Sequence, residues 1–230
     1  MTSAYFITGT DTDVGKTLVA TAWLQAANER GLSTLGLKPV AAGCERTAEG
    51  LRNADALALH AASSLRPLYY EEVNPVALPD ACSPHLAARH AGRRPTVSQV
   101  VGFCRGSLSR RAGLTLIEGA GGWRVPLNDI EFMSAIAVTL KLPVVLVVGV
   151  RLGCLNAAFL TAEAIRRDGL ELAGWVANVR DPGMLALDEN IASLAQGLKA
   201  PCLGVVPVLE SPSPAAAAAF LTNLPWAAAS

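Results

Sequence analysis

A short segment near the N-terminus, Gly9–Thr17 (GTDTDVGKT), restricts the fold more than any other part of the chain. It follows the apolar run Ala4–Gly9, which is typical of a short strand. It precedes Lys16–Arg30, where apolar residues recur at helical spacing before the capping residue Gly31. A loop that ends in Gly-Lys-Thr between a strand and a helix is the setting of a Walker-A loop. We therefore predict a phosphate-binding loop at the start of an α/β fold.

The residue types of this loop suit phosphate binding. Main-chain N–H groups of the loop and of the helix start can converge on an anion, and glycine allows a close approach. Lys16 would place a charge on the outer phosphates, and the Thr17 hydroxyl would ligate Mg²⁺. Strict G-x-x-x-x-G-K-T spacing puts its first glycine at Thr10, whereas Gly9 lies one position earlier. The alternative is a tight strand–helix turn with a chance Gly-Lys-Thr.

Strands and helices alternate along the rest of the chain. The further predicted strands are Thr34–Val40, Leu114–Glu118, Pro143–Val150, Leu172–Val179 and Cys202–Val206. The further predicted helices are Asn53–Ala62, Thr96–Ala112, a helix that runs to Asp168 with Gly169 as its cap, and Leu185–Leu198. We expect Ser64–Pro95 to wrap the surface with one short helix around His85–His90, and the Pro/Ala-rich tail from Ser211 to pack loosely.

This order predicts one α/β domain over residues 1–230, with a mostly parallel sheet flanked by helices, as in P-loop NTPases. Ligands of such sheets bind at the carboxyl ends of the strands. Nineteen basic and nineteen acidic residues leave no net charge, so a small molecule is favoured over nucleic acid or a membrane.

Cysteine usage and hydropathy bear on the compartment. The five cysteines are far apart and form no C-x-x-C pair, which favours reduced thiols in a cytoplasm. The longest apolar run, Leu142–Val150, is too short to span a bilayer, and the N-terminus lacks the pattern of a secretory signal. We accordingly expect a cytoplasmic protein.

Two carboxylates are candidates to complete a metal site with Thr17. Glu118 ends the buried strand residues Leu114–Ile117, as a Walker-B acid does, and a carboxylate there needs a partner. Asp55 stands at the start of a predicted helix, where helix-dipole electrostatics alone would also explain an acid. The small residues Gly119–Gly122 form either an anion-binding nest or a plain strand-exit turn.

An ordered set of motifs resembles the dethiobiotin synthase family. Single motifs such as GKT are generic, but their order along most of the chain is specific. The matching segments are Gly9–Thr17, Lys38–Val40 with Gly43, Glu49–Asp55, Asn74-Pro75, Ser83-Pro84-His85, Glu118–Trp123 with Pro126-Leu127, Val147–Asn156 and Gly174–Asn178.

The resemblance implies a cytoplasmic homodimeric ligase of biotin biosynthesis that uses ATP and Mg²⁺. Such enzymes join CO₂ to 7,8-diaminopelargonic acid through a carbamate and a carbamic-phosphoric anhydride. Lys38 resembles the catalytic lysine, and Lys16 and Thr12 would act beside it. Without the resemblance, Lys38 would be interpreted as a strand-end lysine with its ammonium in solvent.

The same resemblance implies the binding residues. Those expected to bind the nucleotide are Asp13, Val14, Gly15, Lys16, Thr17, Leu18, Asp55, Glu118, Gly119, Ala120, Gly121, Asn178, Pro207, Val208 and Leu209. Asn178 would read adenine with its amide, and Pro207–Leu209 would flank the base. Those expected to bind the diamine are Thr12, Lys38, Ala42, Gly153, Cys154, Leu155 and Asn156, the last four from across the dimer interface. The implied Mg²⁺ ligands are Thr17, Asp55 and Glu118.

Two positions depart from the family pattern. Ala42 stands where the family usually carries a serine that contacts the substrate, so one hydroxyl donor is lost. Arg151 replaces a lysine, which keeps the charge but changes its geometry. The segment after Val179 matches poorly, which leaves the contacts with the base open.

Three other classes share parts of the pattern. A partition-type P-loop ATPase switch would carry an additional lysine at the position of Asp11. A GTPase would carry N-K-x-D, whereas Asn178 is followed by Val179-Arg180-Asp181. A cobyrinate-type amide ligase would need a glutaminase domain, for which the chain is too short.

Overall fold

The structure is a computed structural model that describes residues 2–226. Its strands are β1 (Ser3–Gly9), β2 (Thr34–Leu37), β3 (Val40–Ala41), β4 (Glu45–Thr47), β5 (Gly50–Arg52), β6 (Val76–Ala77), β7 (Leu114–Gly122), β8 (Val144–Val150), β9 (Leu172–Val179) and β10 (Cys202–Val206). Its helices are α1 (Lys16–Glu29), α2 (Ala54–Ala62), α3 (Tyr70–Val73), α4 (Pro84–His90), α5 (Val97–Leu108), α6 (Ser134–Leu140), α7 (Cys154–Arg167), α8 (Leu187–Leu198) and α9 (Pro214–Ala218).

A six-stranded sheet in the order β10-β9-β8-β1-β7-β2 forms the centre of the molecule, and all its neighbouring strands are parallel. Strand β1 lies inside the sheet, because Phe6 is in register with both Ile117 of β7 and Val144 of β8. Every residue of β8 is buried, as expected for a parallel strand with helices on both faces. The predicted α/β class with a mostly parallel sheet is confirmed.

The core is continuous across the described residues. Buried apolar side chains from Phe6 to Leu224 form a single cluster. One domain over residues 1–230 stays a prediction, because Met1 and residues 227–230 lie outside the described part of the chain. Within residues 2–226, no helix has both the length and the apolar character that crossing a membrane would require.

The predicted strand Thr34–Val40 is wrong as one unit. The sheet strand β2 ends at Leu37, and β3 pairs with β6 in a separate two-stranded sheet. Pro39 has no N–H to donate, so the chain leaves the sheet at this point. The Lys38 N–H donates instead to the carbonyl oxygen of Val73 at 2.9 Å. Lys38 is therefore placed at the carboxyl end of the sheet.

The strand that begins at Leu114 is longer than predicted. It continues through the glycines to Gly122, which is in register with Gly9 of β1, so the alternative of a strand-exit turn at Gly119–Gly122 is wrong. A Cβ on Gly119 would lie 3.1 Å from the ring of Phe6. Any side chain at this position would require the Phe6 ring to shift, because the strand passes so close to it.

Other differences concern short elements and helix ends. The segment predicted to wrap the surface contains α3 and β6 as well as the expected α4, and α6 was not predicted because seven residues are too few to show a helical period. Helix α5 is shorter than Thr96–Ala112, since Thr96 is its N-cap and Arg111 has a φ of 54°. Helix α8 starts at Leu187 because the preceding Ala186 is left-handed.

The C-terminal tail is packed, so the expectation of loose packing is wrong for residues 211–226. Helix α9 packs against α1, and Leu221 and Leu224 are buried. The Asn223 N–H donates to the carbonyl oxygen of Leu203 in β10 at 3.1 Å. A Cβ on Gly204 would collide with the backbone of residues 220–221. The end of the tail, residues 227–230, lies outside the described residues.

We expect Leu221→Ala to lower the free energy of unfolding by about 2–4 kcal/mol, because it removes buried methyl groups and leaves a cavity. Thr222→Ala is the matched control: this neighbouring side chain is exposed, and we expect a change below about 0.5 kcal/mol. Urea unfolding followed by circular dichroism measures both values. Equal stability of the two variants would contradict a packed tail.

Candidate active site

A cleft of about 970 Å³ lies at the carboxyl ends of β1, β2 and β7. Its lining brings together half of the site residues predicted from the sequence: Thr12, Asp13, Gly15, Lys16, Thr17, Lys38, Ala42, Asp55, Glu118, Ala120 and Gly121. These residues come from four separate segments of the chain. Their convergence at the strand ends agrees with the general rule for ligand sites in parallel sheets.

The phosphate loop is fixed to the sheet by Val14. This side chain is buried, and a Cβ on Gly149 of β8 would lie 2.8 Å from its Cγ1 atom. Asp13 and Gly15 have positive φ values of 56° and 92°, which turn the backbone around the loop. Helix α1 begins at Lys16 without a side-chain cap, so its first N–H groups are available to an anion.

Lys16 lies over the loop and is almost fully buried. Its Nζ atom donates to the carbonyl oxygen of Asp11 at 2.8 Å. Burial, and then the nearby charge of Lys38, lower the pKa of Lys16 to about 8. A phosphate group would supply the negative charge that this ammonium lacks.

Lys38 is buried between two carboxylates. Its Nζ atom lies 2.5 Å from Glu118 Oε1 and 3.2 Å from Asp55 Oδ2, and it also donates to the carbonyl oxygen of Gly119 at 3.1 Å. Burial alone would lower the pKa of Lys38, but Glu118 and Asp55 together hold it above its ordinary value. The interpretation of Lys38 as a strand-end lysine in solvent is therefore wrong.

The oxygen atoms around Glu118 fit a divalent cation. Glu118 is fully buried, its Oε1 accepts from the Thr17 hydroxyl at 2.9 Å, and its Oε2 has no hydrogen-bond partner within residues 2–226. An unpaired buried carboxylate oxygen is costly, and a bound cation would remove that cost. Asp55 lines the same cleft and is partly exposed. Carboxylates and a hydroxyl are ligands that Mg²⁺ prefers.

Asn178 lies behind the phosphate loop. Its side chain is buried, and its Nδ2 atom donates to the carbonyl oxygen of Val14 at 2.8 Å. It does not line the cleft, and neither do Pro207, Val208 or Leu209, which follow β10 at the same edge of the sheet. Contacts of these four residues with a base stay predictions.

The start of α7 also lies outside the cleft. Gly153 is its left-handed N-cap with a φ of 92°, Asn156 is exposed, and Leu152 is 89% exposed. An ion pair of 2.9 Å between Arg151 Nη2 and Asp11 Oδ2 connects this helix start with the phosphate loop. Within one chain, the segment from Gly153 to Asn156 does not reach the cleft.

Several residues that line the cleft were not predicted, among them Asn53, Ser83, Val125 and Arg180. Arg180 stands two residues after Asn178, just past the end of β9, so the rule on strand ends could have found it. Asn53 is the N-cap of α2, a role that its residue type suggests. Ser83 belongs to the family-matching segment Ser83-Pro84-His85, which could have indicated it, although the surrounding segment was expected to lie on the surface.

The chain is similar to proteins of one activity over nearly its whole length. A family described as an AAA domain matches residues 3–216. The ATP-dependent dethiobiotin synthetase BioD of Cellvibrio japonicus is 64% identical over 222 residues, which cover 96% of each chain. The protein of the same name from Chromohalobacter salexigens is 57% identical over 97% of this chain and 98% of its own. That from Pseudomonas aeruginosa strain UCBPP-PA14 is 59% identical over 96% and 97%.

Solved structures share the fold at low identity. The septum site-determining protein MinD from Pyrococcus horikoshii, complexed with Mg-ADP, superposes with a TM-score of 0.55 at 18% identity, over 90% of this chain and 82% of its own. The signal recognition particle 54 kDa protein from Aeropyrum pernix, in complex with GDP, gives 0.56 at 14% identity, over 95% and 45%. These similarities support the fold alone.

We expect nucleotide binding to take up protons near pH 8. The pKa of Lys16 is about 8 in the free protein, and negative phosphates favour the ammonium, so binding raises that pKa. About half a proton would then be taken up at pH 8, and less at pH 7, where Lys16 is already charged. Calorimetry of Mg-ADP binding in two buffers of different protonation enthalpy measures the uptake.

Lys16→Arg is the control for this experiment, because a guanidinium keeps its charge throughout this range and has no proton to gain. We expect its molar enthalpy of Mg-ADP binding to be the same in both buffers. Equal heats for the unmodified protein in both buffers at pH 8 would contradict a lowered pKa at Lys16.

Proposed function

The chain belongs to the ATP-dependent dethiobiotin synthetase family, a family of C–N bond-forming ligases, and on this basis we propose how its cleft closes the ring of dethiobiotin. The resemblance that the sequence motifs indicate is thereby confirmed. The observation that carries the proposal is the buried Lys38 ammonium, which lies within 3.2 Å of two carboxylates in the same cleft as the phosphate loop.

The proposed substrates are 7,8-diaminopelargonic acid, CO₂ and ATP. One amine of the diamine adds to CO₂ and loses a proton, which gives a carbamate. A carbamate oxygen attacks the γ-phosphorus of ATP, the bond to the bridging oxygen breaks, and ADP leaves. The second amine then attacks the carbonyl carbon, and phosphate leaves with the C–O bonding electrons. Loss of a proton from this nitrogen completes the cyclic urea.

The cleft residues have distinct parts in this proposal. Lys16 and the N–H groups at the start of α1 hold the terminal phosphates, because they form the positively charged end of the cleft. Lys38 stabilises the carbamate oxygens and the transferring phosphoryl group, whose charge is spread over several oxygens. Thr12, which is exposed in the same cleft, would contact the carbamate in this proposal.

Thr17, Asp55 and Glu118 would hold Mg²⁺ in this scheme. The ion supplies positive charge that offsets the negative charge of the phosphates. The unpaired Glu118 Oε2 atom supports this assignment, since a metal gives it a partner. Ala42 lines the cleft where the family usually has a serine, so we propose that this chain binds the diamine with one hydroxyl fewer.

We propose that the site is completed by a second copy of the chain. The segment Gly153–Asn156 lies at a helix start that can take a carboxylate, yet it lies outside the cleft of its own chain. Leu152 and Leu160 beside it are 89% and 58% exposed. A homodimer would cover these apolar side chains and bring the helix start to the substrate tail of its partner.

The cytoplasm is the proposed compartment. All five cysteines belong to the described residues and are free thiols, as expected where thiols are kept reduced. The partition-type ATPase alternative is not favoured, because the position of its additional lysine is Asp11, a carboxylate that pairs with Arg151. Similarity to MinD extends only to the fold.

The activity test follows phosphate release from ATP. We expect release only when diaminopelargonate and bicarbonate are both present, together with one dethiobiotin for each phosphate, since the anhydride forms only from a carbamate. Mass spectrometry identifies the product. Phosphate release without the diamine, or release stimulated by DNA or lipid vesicles, would contradict the ligase proposal and favour a nucleotide switch.

We expect Lys38→Ala to lower ring closure about 1000-fold, because it removes the cation that faces the transferring group. Binding of ADP without Mg²⁺ should stay within about threefold, since the phosphate loop is unchanged. Removal of Lys38 also leaves buried carboxylates without their cation, so the variant must be shown by circular dichroism to be folded at the assay temperature. A folded Lys38→Ala protein with full activity would contradict the role of Lys38.

A further inference from the structure

One hydroxyl group connects the supports of the two sides of the cleft. Tyr70, at the start of α3, is largely buried. Its Oη atom accepts a hydrogen bond from the Asn53 main-chain N–H at 2.8 Å and donates one to Asn74 Oδ1 at 3.1 Å. Both hydrogen-bonding functions of the phenol are therefore used.

Asn74 connects the Tyr70 hydroxyl to the backbone of Lys38. It is buried, and its Nδ2 atom donates to the main-chain carbonyl oxygen of Lys38 at 2.7 Å. Lys38 needs this partner because β2 has ended at Leu37 and Pro39 follows. The Lys38 N–H donates to Val73, the residue before Asn74. The backbone of Lys38 is thus held from the end of α3 rather than by the sheet.

Asn53 connects the hydroxyl to the acidic side of the cleft. It is the N-cap of α2, and its Oδ1 atom accepts from the N–H of Ala56 at 3.2 Å. The first turn of this helix carries Asp55, whose Oδ2 atom lies 3.2 Å from Lys38 Nζ. The hydroxyl of Tyr70 therefore lies between the support of Lys38 and the support of Asp55.

The aromatic ring is fixed from its outer face. The Arg52 guanidinium carbon lies 4.2 Å from the centre of the Tyr70 ring, and Arg52 Nη2 lies 3.4 Å from Glu71 Oε1. A cation over an aromatic face is a favourable contact. The family segments Glu49–Asp55 and Asn74-Pro75, to which the sequence assigned no joint role, meet at this one ring.

We propose that Tyr70 is a positioning residue for ring closure: through Asn53 and Asn74, its hydroxyl sets the separation of Asp55 and Lys38. The inference rests on the function proposed above. Removal of the hydroxyl leaves the Asn53 main-chain N–H and the Asn74 side-chain Oδ1 without their partner, so each support relaxes independently. No residue of the phosphate loop belongs to this network. Removal of the hydroxyl should therefore leave the binding of nucleotide without metal unaffected.

The test compares Tyr70→Phe with Tyr69→Phe, the same change at the adjacent, 68% exposed residue. We expect Tyr70→Phe to lower kcat for ring closure, measured at saturating MgATP, about tenfold or more, while the KM for MgATP rises only by the factor that Mg²⁺ binding loses. Calorimetric titration of Mg²⁺ into the ADP complex should show at least about fivefold weaker binding, because Asp55 is displaced. Affinity for ADP without Mg²⁺ should be unchanged, and Tyr69→Phe should match the unmodified protein throughout.

Asn74→Ala and the double variant test the connection itself. If the hydroxyl acts through Asn74, Tyr70→Phe should lower kcat much less in the Asn74→Ala background than in the unmodified protein. Should Tyr70→Phe fail to fold, Asn74→Asp replaces it, since this change keeps the acceptor for Tyr70 and removes the donor to Lys38. We expect it to lower kcat in the same way.

The outcomes separate this inference from the function on which it rests. An unmodified protein that forms no dethiobiotin would contradict the proposed function. An unmodified protein that closes the ring, together with a Tyr70→Phe variant of equal kcat and equal Mg²⁺ affinity, would overturn the positioning role alone. A Tyr70→Phe variant with a lower melting temperature but unchanged kcat and Mg²⁺ affinity would also overturn the positioning role, because the hydroxyl would then contribute to stability only.

Discussion

The site depends on one buried cation. Removing an ammonium from water is costly unless carboxylates compensate it, and Lys38 is compensated by Glu118 and Asp55. The three groups come from the residue after β2, the middle of β7 and the first turn of α2, so their contact fixes three parts of the fold relative to one another. The ion pairs of Lys38 with Glu118 and Asp55 therefore stabilise the fold and also position the groups proposed to act in the reaction.

The phosphate loop is held to the sheet independently of that cluster. Val14 packs towards the glycines of β1 and β8, and the Asn178 side chain donates to the Val14 carbonyl from behind. These contacts hold the loop backbone. In the proposed function, the Lys16 side chain exchanges its hydrogen bond to the Asp11 carbonyl for one to a phosphate.

Local patterns in the sequence were enough for the alternation of strands and helices and for the loop before α1, because each is encoded within a short stretch. Local patterns did not predict the features that depend on a contact with a distant segment of the chain. The chain leaves the sheet at Lys38 because Pro39 has no N–H to donate and Val40 pairs with Val76, and β7 continues through its glycines because Gly122 pairs with Gly9 of β1. Tyr70 carried no local signal, since its hydroxyl joins residues 53 and 74 only after folding.

The packing of helix α9 has a consequence for the phosphate loop. Helix α9 packs against α1, whose first residue is Lys16. No residue of α9 lines the cleft. A substitution in α9 that loosens this contact would therefore reach the proposed nucleotide site indirectly, by shifting the helix at whose start the loop ends.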